Sequence, residues 1–109
     1  MTSSALSQCG VDDLSSLVIS GAQDLPEFRN ILECTGRFNS HQLEQELVGL
    51  PKQMVSENPE IGAILLECSD MPPYAWAVQN ATRLPVFDFI TLIDWIHKGV
   101  VRRPFTGLM

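Results

Sequence analysis

The chain has 109 residues, 45% of them hydrophobic, with 13 acidic against 7 basic side chains, a formal charge of −6 and three cysteines. That length allows one small domain, burying roughly 60–65% of the surface its unfolded form exposes, and the apolar content excludes disorder as a description of the whole. The acidic balance argues against a nucleic-acid backbone or an anionic membrane surface as partner: both repel it, and the adjacent Arg102 and Arg103 are the one visible basic patch.

Cys9, Cys34 and Cys68 are odd in number, far apart and without a CxxC pair, which excludes a disulfide framework and a cysteine zinc site. Residues 1–10 carry no Lys or Arg and no long apolar run, so no secretory signal is expected there. The longest apolar stretch, 84–101, is interrupted by Asp88, Asp94, His97 and Lys98 and is not an ordinary membrane span. A reducing, cytoplasmic setting is the expectation.

In chain order, Leu17, Val18 and Ile19 form a short run closed by Ser20 and Gly21 and read as a buried strand. Residues 24–32, with Pro26 near the start and Phe28, Ile31 and Leu32 at helical spacing, predict a short helix ending before Gly36. Asn39 or Ser40 caps the longest helix, where Leu43, Leu47, Leu50, Met54 and Val55 recur at steps of three or four. Pro51 sits inside it and predicts a kink or break near 48–50. Asn58 and Pro59 stop that helix. The apolar run 61–66 then reads as a parallel strand buried on both faces.

Ser69 and Asp70 are placed to cap the next helix, with Pro72 and Pro73 in its first turn and Tyr74, Ala77, Val78 and Ala81 on its inner face. Residues 84–87 give a third strand, and 88–101 a last helix with Phe89, Ile93, Ile96 and Val100 on one stripe; the tail 102–109 is irregular. Strands alternating with helices at these lengths predict an α/β fold, with a short parallel sheet of about three strands flanked by helices in a single domain spanning 1–109.

In a parallel sheet, ligands bind beyond the carboxyl ends of the strands, where the next helix presents free amides. Cys68 occupies such a position, and the helix following it favours a thiolate there. The backbone amides of Ser69, Asp70 and Met71 are positioned to cradle a carboxylate. The plainer reading is a buried, structural cysteine, the commoner fate of a lone thiol. Glu67, Asp70 and Asp88 cluster at strand ends, where they fit acid–base chemistry and capping equally well. His41 and His97 read as surface or boundary residues, Cys9 and Cys34 as packing or solvent-facing ones, and Trp76 and Trp95 as core or interface residues. No GxGxxG, Walker, GxSxG or HExxH motif is present.

Residues 61–75, IGAILLECSDMPPYA, followed by Leu84, Pro85, Val86, Phe87 and Asp88, resemble the C-terminal half of the aspartate/glutamate racemase superfamily. Residues 17–29 and the helix end at 57–59 are similar to the same group. The resemblance implies a truncated half of a Rossmann-like α/β enzyme, working without metal or other cofactor, in which two facing cysteines invert a centre of a small carboxylate or amino-acid-like substrate. It makes Cys68 the second catalytic cysteine, with Ser69 in place of the family's usual threonine; Ser69 and Asp70 would line the substrate carboxylate.

The first cysteine belongs to the family's N-terminal half, and neither Cys9 nor Cys34 lies in a motif that replaces it. A complete site is therefore expected to need a homodimer or a separate N-terminal half. The alternative is a non-catalytic fragment or interaction module that retains the fold. An uncovered sheet edge and the apolar helix at 89–101, which the resemblance implies would pack toward the other half, argue for association.

Overall fold

The computed structural model describes residues 3–107. Helix α1 (Ser3–Gln8) is followed by a 3-10 turn at Leu14–Ser16, then α2 (Pro26–Leu32), α3 (Ser40–Glu57), β1 (Ile64–Leu65), a 3-10 turn at Pro72–Tyr74, α4 (Ala75–Thr82), β2 (Val86–Phe87) and α5 (Phe89–Val100). The result is a mixed α/β arrangement with a short two-stranded parallel sheet flanked by helices, Ile64 pairing with Val86 and Leu65 with Phe87. A parallel pair requires a crossover, and the 3-10 turn with α4 supplies it.

The core lies between helices. Phe28 of α2, Leu43 and Leu47 of α3, Ala22 and Tyr74 form one buried cluster, against which Leu25, Ile31, Leu50, Cys68 and Met71 pack. On α3 the buried residues Leu43, Leu47 and Pro51 are spaced by four, so they line one stripe. This explains why α3 runs through Pro51 instead of breaking: the ring costs one backbone donor, but it lies in the stripe that packs inward. Asn39 caps α3 as expected, its side chain accepting from the Gln42 amide at 3.1 Å.

Several expectations are corrected. Leu17, Val18 and Ile19 are exposed and form no strand; Leu17 is extended (φ −117°, ψ 135°), but no segment lies alongside to complete a ladder. Among the described residues the sheet therefore has two strands, not three. The first is two residues long and covered on one face only, since Leu66 is buried while Leu65 is 66% exposed. Ser69 and Asp70 do not cap the following helix, which opens through the Pro72–Tyr74 turn with no side-chain cap. Helix α1, polar and anchored only by Leu6, carried no periodic signal. Trp76 and Trp95 are both exposed, which removes the core alternative for them, and α5 buries none of its residues. The tail has no helix or strand in its described part, 102–107.

Candidate functional site

Two ladder bonds, from the Ile64 amide to the Pro85 carbonyl (2.9 Å) and from the Leu66 amide to the Phe87 carbonyl (2.8 Å), fix the end of β1. The chain then turns. The Met71 amide donates to the Cys68 carbonyl at 3.1 Å and the Tyr74 amide to the Met71 carbonyl at 2.9 Å, folding 68–74 into two successive tight turns. Tyr74 is buried in the core and its hydroxyl lies 3.2 Å from the Ser40 hydroxyl at the start of α3. The loop carrying Cys68 is thus held at one end by the sheet and at the other by the helical core.

Cys68 is half-buried, while Cys9 and Cys34 are exposed. Its thiol donates to Asp70 Oδ2 at 3.7 Å, a distance acceptable for sulfur. Of the three predicted residues, the structure brings Cys68 and Asp70 into contact, while Ser69 lies exposed between them. The Met71 amide is consumed by the turn, which corrects its expected part in a carboxylate cradle. Those of Ser69 and Asp70 donate to no group among the described residues and are free for a ligand. Asp70 and Glu67 are exposed carboxylates, and no Lys, Arg or His occurs in 53–82, so the loop segment itself carries only negative charge.

Asp88 has a different task. It is buried and caps α5, accepting from the Thr91 amide at 2.8 Å while the Thr91 hydroxyl accepts from the Asp88 amide at 3.0 Å. This reciprocal capping box removes Asp88 from the acid–base candidates. An aspartate followed three residues on by threonine before an apolar run is a local signal that identifies the role from sequence.

Beside the sheet, on the side of α5, lies an open groove of about 620 Å³ walled by Leu65, Phe87, Phe89, Leu92 and Trp95, with Glu67 at its rim. Leu65, Leu66 and Glu67 line this groove, while Cys68 packs against the helical core. His41 is exposed on α3 with its ring Nε2 3.2 Å from the Gln45 amide nitrogen, and His97 is exposed on α5. Among the described residues no three His, Cys, Asp or Glu side chains gather to hold a metal ion, and no helix is long and apolar enough to cross a membrane.

The chain is 37% identical over 103 residues to a lyase from Durusdinium sp. clade D, and 42% identical over 106 residues to one from Emiliania huxleyi; each alignment takes in 93% of this chain. Those relatives are dimethylsulfoniopropionate lyases. A third, dimethylsulfoniopropionate lyase 5 of Emiliania huxleyi, is 42% identical over 62 residues, 57% of this chain. The chain spans about a third of the first two relatives (34% and 31%) and 12% of the third. No protein-family model matches it, and no solved structure does. These similarities overturn the racemase assignment: at 37–42% identity the relatives are named for lyase activity, not for racemisation or isomerisation. The motif around Cys68 was legible as a strand-end thiol loop, but the loop alone does not specify which reaction surrounds it.

Proposed function

We propose that this chain acts in the cleavage of dimethylsulfoniopropionate, with Cys68 as the base. The observation that carries the reading is the similarity to dimethylsulfoniopropionate lyases across 93% of the chain. The geometry around Cys68 supplies a chemistry that fits it. Dimethylsulfoniopropionate has a carboxylate at one end and a sulfonium cation, a good leaving group, on the carbon β to it. The carboxylate meets the free amides of Ser69 and Asp70. The cationic sulfonium finds the Asp70 carboxylate, the charged group in contact with the Cys68 thiol. Asp70 keeps its expected place beside the substrate carboxylate through its backbone amide, while its side chain serves the Cys68 thiol.

The reaction is an elimination. Asp70 accepts the Cys68 proton along their existing hydrogen bond, leaving a thiolate. The thiolate removes a proton from the carbon next to the substrate carboxylate. The electron pair of that C–H bond becomes the carbon–carbon double bond, the bond from the β carbon to sulfur breaks, and its pair leaves on sulfur. The products are neutral dimethyl sulfide, acrylate and one proton, which returns to solvent through Asp70. Charge separation in the substrate is cancelled as the sulfonium leaves, so a partly desolvated thiol suits the step.

Proton NMR of the chain incubated with dimethylsulfoniopropionate tests the reaction type. Vinyl signals of acrylate growing in step with dimethyl sulfide are expected. Formation of 3-hydroxypropionate would instead indicate displacement by water and contradict the elimination.

A further inference from the structure

Tyr74 closes the Cys68 loop. It is buried at the N-cap of α4 and gives no side-chain cap there, where a short polar residue is the usual choice. Its ring instead enters the core cluster with Phe28, Leu43 and Leu47, against which Cys68 and Met71 pack. Its hydroxyl lies 3.2 Å from the Ser40 hydroxyl, 34 residues earlier in the chain, and among the described residues Ser40 is its only partner. A phenylalanine would fill the same space, so the hydroxyl adds direction to the packing.

Ser40 is itself held in place. It opens α3 directly after Asn39, whose side chain accepts from the Gln42 amide at 3.1 Å and whose own amide donates to Glu27 at 2.8 Å. Two bonds lead from Tyr74 back to the thiol: its amide to the Met71 carbonyl at 2.9 Å, and the Met71 amide to the Cys68 carbonyl at 3.1 Å. We infer that the Tyr74–Ser40 hydrogen bond sets the position of the Cys68 loop, which makes both residues positioning residues for the elimination. The consequence for turnover rests on the lyase reading; the placement of the thiol does not. The loop carries the thiol and the free amides of Ser69 and Asp70, so slack at its end loosens the thiol relative to a carboxylate held on those amides. Reacting atoms misplaced by about 1 Å cost on the order of 100-fold in rate.

Per-site alkylation of Cys68 by iodoacetamide, with the exposed Cys34 as internal reference, tests the inference beside steady-state cleavage of dimethylsulfoniopropionate; circular dichroism on each variant checks that the fold is kept. Tyr74→Phe and Ser40→Ala should each label Cys68 about tenfold faster relative to Cys34, and lower kcat about tenfold with KM changed less than about threefold. The double variant should be no worse than either single one, because both remove the same bond, and Ser40→Thr, which keeps the hydroxyl, should match the unaltered chain. Additive effects of the two substitutions, a Ser40→Thr chain that behaves as Ser40→Ala, or unchanged Cys68 labelling in Tyr74→Phe would each overturn the inference. If the unaltered chain releases no dimethyl sulfide, the lyase reading falls and the labelling pattern alone decides the positioning role.

Discussion

Glu46 holds two helices together from a position that reads, in sequence, as a solvated flank of α3. The first turn of α2 has no side-chain cap of its own, its N-cap being Leu25. The Glu46 carboxylate takes that place, accepting from the Glu27 amide at 3.0–3.1 Å and the Phe28 amide at 3.2 Å. Glu27 in turn accepts from the Asn39 amide at 2.8 Å, ahead of α3. Charge-assisted bonds to free helix amides are the stronger kind, so Glu46→Ala should cost about 1–3 kcal/mol and Glu46→Gln less, as read by urea denaturation. An unchanged midpoint for Glu46→Ala would mean that water caps α2 equally well.

Asp13 gives a pH-dependent counterpart. The Ser15 hydroxyl, and then the Ser15 amide, donate to its carboxylate and hold it below the ordinary carboxylate range. A depressed folded value contributes stability that is complete above the unfolded value and lost as pH falls through the folded one. The Asp13 side-chain NMR titration should therefore have its midpoint below that of an aspartate in an unstructured peptide, whereas a midpoint at or above it would show that the turn does not persist in solution.

At the scale of elements, what could be read from sequence was what local chemistry decides. Pro26 at the start of α2, Asn39 before α3, and the periodic Leu43 and Leu47 each carry their signal within a few residues. What could not be read was decided by distant partners. Leu17, Val18 and Ile19 have the composition of a strand, but a strand exists only where another lies beside it. The Cys68 loop was visible for the local reason that a thiol follows an apolar run, and its contact with Asp70 spans two residues. The reaction was not visible, because similar strand-end thiol loops can serve different chemistries. Asp88 is the opposite case, a role readable locally and fixed by the capping box of α5. Asp88→Ala should cost about 1–2 kcal/mol, measured by denaturation, and should shorten α5 from its first turn in amide exchange. Faster exchange spread evenly along α5 would argue against a capping role.

At the scale of the whole molecule, two regions differ in character. The helical core, from Phe28 through Leu43 and Leu47 to Tyr74, positions the Cys68 loop from behind. On the side of α5 the groove and the helix present an exposed apolar face. The central claim concerns the first of these. Headspace dimethyl sulfide released from dimethylsulfoniopropionate by the unaltered chain, beside Cys68→Ala and Asp70→Asn, tests it most directly. The account predicts release by the unaltered chain, a fall of about 100-fold or more for Cys68→Ala and a smaller fall for Asp70→Asn. Release that survives unchanged in Cys68→Ala, or no release from the unaltered chain, would contradict it.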